Sequence, residues 1–171
     1  MKKMSIGIAL TFAIVCITIF LPLFQVISFT ETKTNNPQIY YIDVGKDKRF
    51  QIRFTHSIHL TDVLETYEVL DNKFKIISME YEEVAVGMPA YAEEGQRLTY
   101  NDGKYILYYE DSYLENFILY VGDINMDLFF YYSEKQYDLK KSLQRGSSYK
   151  IEVQNFSLYD KMKGVRIAHE E

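Results

Sequence analysis

The chain has no tryptophan, and its one cysteine, Cys16, lies near the N-terminus of 171 residues. Everything after Cys16 therefore folds without disulfides, whatever the redox state of its compartment. The lack of tryptophan also counts against an aromatic platform for sugars, although 16 tyrosines and 11 phenylalanines are present. Positive charge is scarce. The formal net charge is -5, and it becomes -7 once Lys2 and Lys3 are set aside, because all 24 acidic residues lie beyond residue 30. An acidic domain repels phosphate backbones, so nucleic acid is excluded as a partner. No phosphate-binding loop, dinucleotide fingerprint or spacing-defined pair of glycosidase carboxylates occurs. Internal repeats and low-complexity tracts are missing as well.

What is present begins with a membrane-directed segment. Lys2 and Lys3 precede residues 6–24, a run without charge and almost wholly apolar. At roughly 1.5 Å per helical residue it is long enough to cross a hydrocarbon core of about 30 Å. The two lysines stay on the cytoplasmic side, which places the rest of the chain outside the membrane. Val26, Ile27 and Ser28 offer a signal-peptidase position that would release a secreted protein. The run exceeds the roughly 7 to 15 apolar residues of a cleaved signal, so an uncleaved single-pass anchor is expected. Cys16 has apolar neighbours on both sides and reads as a membrane residue, not a lipidation site. The organisation expected is an anchor or signal over residues 1–29, a linker over 30–38 containing Pro37, and an extracytoplasmic domain over 39–171.

Beyond the linker, short runs rich in Tyr, Phe, Ile and Val alternate with Gly, Asn or Asp. Strands are expected at 39–44, 50–57, 64–70, 74–81, 97–100, 105–110, 117–121, 128–132 and 149–154. This spacing predicts an all-β, antiparallel sandwich or barrel-like domain. Asp71-Asn72 and Asn101-Asp102-Gly103 read as tight hairpin turns. Only 133–142 and 159–163 leave room for a short helix.

The residues that carry chemistry concentrate in FTHSIHLTDVLETYE, positions 54–68. Pairing this stretch as a hairpin sets Phe54 against Tyr67, Ile52 against Val69 and Arg53 against Glu68, a register that matches apolar and charged partners. His56 then falls opposite Glu65, where a carboxylate would favour the protonated imidazole. Four readings are open: a polar lock of His56, Ser57 and Glu65; a ligand or partner surface; a metal site using His56, His59 and Glu65; and nucleophilic catalysis by Ser57. Strand alternation opposes the last, since neighbouring side chains point to opposite faces. A second stretch, VAVGMPAYAEEG at 84–95, breaks the strand rhythm. Gly87, Met88, Pro89 and Tyr91 there suggest an irregular loop that crosses between sheets or meets the His56 corner.

The apolar N-terminus, the motif Thr55-His56-Ser57 with Val63, Glu65 and Tyr67, and the Gly87-Met88-Pro89 turn together resemble the bacterial domain-of-unknown-function 1850 family. Members of that family often occur beside TRAP transporters that use TAXI-class solute receptors. The resemblance implies an envelope accessory to the uptake of organic anions or amino-acid-type solutes, whose partner is a transporter membrane subunit or solute receptor, and it carries no catalytic residues. Taken with the residues themselves, it leads to a non-catalytic accessory without cofactor, whose expected contact surface is His56, Ser57, Glu65, Tyr67, Gly87, Met88, Pro89 and Tyr91. A small metal-assisted hydrolase and an apolar-ligand carrier with a β-sandwich interior are the alternatives.

Overall fold

The computed structural model describes residues 17–84 and 87–170. Most of the apolar run, with Lys2, Lys3 and Cys16, lies outside the described residues. Among the described residues no helix is long and apolar enough to cross a membrane. Residues 17–20 are helical, and the strands begin at Phe24.

Among the described residues, twelve strands form two sheets. They are β1 (Phe24–Glu31), β2 (Ile39–Asp43), β3 (Arg49–Thr55), β4 (Asp62–Leu70), β5 (Lys73–Tyr81), β6 (Gln96–Asn101), β7 (Lys104–Leu114), β8 (Asn116–Val121), β9 (Leu128–Tyr132), β10 (Lys135–Asp138), β11 (Ser147–Phe156) and β12 (Val165–Arg166). Two short helices, α1 (Leu139–Ser142) and α2 (Leu158–Lys163), flank β11. The smaller sheet runs β12-β2-β1-β11-β8 and the larger β10-β9-β3-β4-β5-β7-β6. All pairings are antiparallel except β12 with β2. The expected all-β sandwich is the observed architecture.

Alternation explains the core. Phe50 and Ile52 on β3, Tyr67 and Val69 on β4, Phe74 on β5 and Phe130 on β9 turn inward against Ile27, Phe29, Tyr149 and Ile151 of the smaller sheet. Phe50 lies between two parallel rings, Tyr67 at 5.1 Å and Phe130 at 4.9 Å, and Tyr67 stacks in turn on Phe117 at 5.4 Å. Each such pair adds roughly 0.5–1.5 kcal/mol beyond its buried area. Apart from this core, the larger sheet carries a second cluster of Val63, Tyr81 and Leu107, with Met88 packed against it.

Three sequence expectations are corrected. The domain starts at Phe24, not at residue 39, because β1 pairs with β2 on one side and with β11 on the other. Residues 30–38 accordingly form a hairpin connection within the smaller sheet, closed by Glu31 N–H donating to the Gln38 carbonyl at 3.1 Å, and not a tether. Val26, Ile27, Ser28 and Phe29 are all fully buried, so β1 reads in sequence as a continuation of the apolar run before it. Second, β3 and β4 pair with Phe54 opposite Val63, Ile52 opposite Glu65 and Phe50 opposite Tyr67. This is four residues from the expected register. Arg53 finds its carboxylates in Asp62 at 3.4 Å and Asp127 at 3.3 Å, and Glu68 takes Arg49 at 3.5 Å, so the charge pairing that favoured the other register is met differently. An even slip keeps every side chain on its expected face. Third, the short helix that 133–142 had room for is confined to α1 at the end of that stretch, because Ser133-Glu134 is a two-residue turn with both φ angles positive that joins β9 to β10. The two hairpin turns read from sequence, at Asp71-Asn72 and Asp102-Gly103, are present with Asp71, Asp102 and Gly103 at positive φ.

Candidate functional site

Strand direction brings three loops to one end of the sandwich. The loop 56–61 joins β3 to β4, 82–95 leaves the end of β5, and 122–127 leaves β8 and returns beside Thr55, whose N–H donates to the Asp127 carbonyl at 3.3 Å. The chain enters at the opposite end, with Gln25 Nε2 donating to the Asp71 carbonyl at the base of the β4–β5 turn. Nine-residue strands at about 3.4 Å per residue put the two ends roughly 25–30 Å apart.

The 56–61 loop is a single α-turn. Leu60 N–H donates to the His56 carbonyl at 2.9 Å, and His56 N–H donates to the Thr61 carbonyl at 2.8 Å. The His56 ring reinforces the turn, with Nδ1 accepting from the N–H groups of Ile58 and His59, each at 3.4 Å. His56 thus locks loop backbone, and it does not meet Glu65. His59 bridges loops instead: its Nδ1 lies 2.8 Å from Glu83 Oε2. The two histidine rings lie 5.3 Å apart. Glu65 sits across from Ile52, well down the strand, so His56, His59 and Glu65 are not assembled as a metal site. Among the described residues no group of three His, Cys, Asp or Glu could hold a metal.

Closing the α-turn forces Leu60 into the left-handed region at φ 59°. The conformation costs a bulky L-residue about 1–2 kcal/mol, and glycine would carry no such cost. Leu60 is nevertheless 67% exposed, and Ile58 beside it 60%. Next to them opens an apolar cleft of about 440 Å³ lined by Phe54, Ser57, Leu119, Tyr120, Ile124 and Met126. Tyr120 and Ile124 are exposed as well. Arg53, held between Asp62 and Asp127, gives this apolar surface a charged margin.

Glu65 belongs to a different feature. Its half-buried carboxylate accepts from the Tyr67 hydroxyl at 2.7 Å, on the inner face of β4 between the two apolar clusters. Burial pushes its pKa above the ordinary carboxyl range, and the Tyr67 hydrogen bond opposes that rise. The Tyr67 phenol is pushed up by burial and then by the Glu65 charge. Tyr109 is raised by burial, with Glu65 and Glu93 adding to the effect. Tyr109 also lines a second cleft, of about 420 Å³, together with Gly87, Met88, Pro89, Tyr91 and Gln96. The 82–95 loop is tied down there by the Tyr81 hydroxyl, which donates to the Pro89 carbonyl at 2.6 Å. Gly87 supplies a φ of 89° that the turn requires.

The residues singled out in the sequence therefore divide. His56 and Ser57 belong to the apolar cleft and its loop, Gly87, Met88, Pro89 and Tyr91 line the second cleft, and Glu65 with Tyr67 lies on the inner face of β4. His59 with Glu83, not His56 with Glu65, joins the 56–61 and 82–95 loops. Ile58, Leu60, Ile124 and Tyr109 escaped sequence reasoning. For Ile58 and Leu60 a signal existed: two large apolar residues in a hairpin tip otherwise made of polar groups. Ile124 and Tyr109 reach the site only through sheet pairing.

Residues 50–139 match the family model described as Domain of unknown function (DUF1850). The matched range holds the whole seven-stranded sheet, apart from the first residue of β3, together with β8 and all three loops. Comparison with curated proteins and with solved structures finds no match.

Proposed function

The chain belongs to the Domain of unknown function (DUF1850) family, and from that premise we propose that it is a non-catalytic docking module, held at the extracytoplasmic face of the membrane as an accessory of a TRAP-type solute transporter. The partner, a transporter membrane subunit or its solute receptor, seats on the apolar cleft and the 56–61 tip. One observation carries this reading. Leu60 holds a left-handed backbone conformation and places its side chain in solvent, beside an exposed Ile58 and an apolar cleft. Local strain combined with exposed apolar surface gives nothing to an isolated fold and marks an interaction surface.

Anchoring through an uncleaved N-terminus is supported by β1. Cleavage near Val26-Ile27-Ser28 would cut a strand paired on both edges and remove fully buried Val26 or Ile27 from the core. The anchor would then run into the sheet with no tether, and the docking tip would face away from the bilayer. The carrier alternative is disfavoured by the stacked rings of Phe50, Tyr67, Phe117 and Phe130, which fill the space between the sheets. The hydrolase alternative lacks its assembled donor set.

The test is a mild-detergent pull-down of the tagged full-length chain from its own membranes, read by mass spectrometry. Transporter subunits are expected with the wild type and with His59→Gln, and their recovery is expected to fall at least several-fold with Ile58→Ser and Leu60→Gly. Equal recovery with all four proteins, or no transporter subunit with the wild type, rejects the docking role.

A further inference from the structure

At the end opposite the loops, α2 is packed inside out. One of its two lysines points inward: Lys161 Nζ lies 2.6 Å from Asp43 Oδ1 and sits over the rings of Phe24 at 4.7 Å and Tyr41 at 5.6 Å. Its apolar side chains Leu158, Tyr159 and Met162 are exposed, Met162 by 81%, and the helix buries none of its own residues. The orientation is fixed from both ends. Ser157 and Asp160 form a capping box, and a side chain at Gly164 would meet the Tyr41 ring at 3.1 Å, so backbone and ring are in direct contact there. A soluble domain turns a short amphipathic helix the other way.

The same patch continues into the segment that precedes β1. Phe20 lies 5.2 Å from the Tyr159 ring, and Leu21 and Leu23 are exposed beside it. Residues 6–24 are uncharged, so the chain's own membrane-directed run ends at this surface. We propose that the outward face of α2, with residues 20–23, rests in the headgroup and upper acyl region of the bilayer and sets the tilt of the domain. Tyrosine and lysine suit that depth: Lys163 Nζ lies 4.5 Å from the Tyr159 ring, a cation over an aromatic face with its charge at the polar boundary. The inference rests on the membrane part of the proposed function and adds a second, non-covalent contact to it.

Because the sequence has no tryptophan, one introduced residue is a clean reporter. Full-length Met162→Trp and Ile124→Trp are reconstituted into phosphatidylcholine vesicles, and emission is compared with and without brominated acyl chains. Met162→Trp is expected to emit at shorter wavelength and to lose at least half its intensity to the brominated lipid, while Ile124→Trp stays water-like and unquenched. Vesicle-bound protein with Met162→Trp unquenched overturns this contact and leaves the anchor intact. A blue-shifted but unquenched Met162→Trp overturns it in favour of a second copy of the chain. Failure of the protein to float with vesicles overturns the anchor and the contact together.

Discussion

Glu65 offers the sharpest test of the interior, because two substitutions separate its hydrogen bond from its charge. In Glu65→Ala the Tyr67 hydroxyl, on a side chain only 5% exposed, loses its acceptor. An unpaired buried hydroxyl costs about 1–3 kcal/mol, and losing the one partly buried γ-methylene adds roughly 0.5 kcal/mol, for a total of about 1.5–3.5 kcal/mol. For a domain of this size that lowers the Tm by roughly 5–10 °C. Glu65→Gln keeps an acceptor for Tyr67 and removes the titration. The folded carboxyl pKa is raised by burial, so between the ordinary value near 4.5 and the folded value the native state binds more protons than the unfolded chain. Wild-type stability must then fall as pH rises through that window and level off above it. Glu65→Gln has no such dependence at this site. Its stability relative to wild type is expected to rise from about pH 4 to about pH 8, measured by denaturant unfolding in detergent at several pH values. Parallel wild-type and Glu65→Gln profiles would refute the assignment of a burial-raised carboxyl, and an unfolded Glu65→Gln would show that the amide cannot replace it.

Two further predictions concern single turns. Leu60→Gly removes left-handed strain of about 1–2 kcal/mol and adds about 0.5–1 kcal/mol of unfolded-state entropy, so the variant is expected to be as stable as wild type or up to about 1.5 kcal/mol more stable; a loss above about 1 kcal/mol in urea unfolding would mean that the exposed side chain packs on the fold. Ser157→Ala removes the capping box of α2 at a cost of about 0.5–2 kcal/mol, seen as faster amide exchange over residues 158–161 with the rest of the domain unaffected. The Ser157 side chain and backbone hydrogen bonds hold the Asp160 carboxyl below its ordinary value, so the cap is intact at neutral pH and is expected to fail only as pH falls below the usual Asp range and through the depressed value. Exchange over this helix that is independent of pH between about 5 and about 2, once corrected for intrinsic rates, would contradict that.

Local chemistry made most of the fold legible. All nine strands expected from alternating apolar runs are present, because their side chains divide between a buried and an exposed face and leave a period of two. β1 was hidden for the opposite reason: its central residues are buried on both faces, and nothing in FQVISFTE separates a central strand from the end of a membrane segment. β10 and β12, four and two residues long, are too short to carry a period. At the site, the 54–68 stretch advertised itself through its histidines, yet the partners it acquired came from elsewhere. His59 reaches Glu83, and Glu65 reaches Tyr67 on its own strand and the neighbourhood of Tyr109 three strands away in sequence.

By itself the sequence determined which residues face inward, where the tight turns fall and that an uncharged, apolar run over residues 6–24 is followed by an acidic β domain. These follow from backbone geometry and side-chain chemistry over a few neighbouring residues. Tertiary structure alone decided the β3–β4 register, since registers four residues apart bury the same faces and differ only in which cross-strand and cross-loop partners they meet. It also decided that α2 turns Lys161 inward and Leu158, Tyr159 and Met162 out, because the contacts that orient it, to Asp43, Phe24 and Tyr41, come from strands more than a hundred residues earlier.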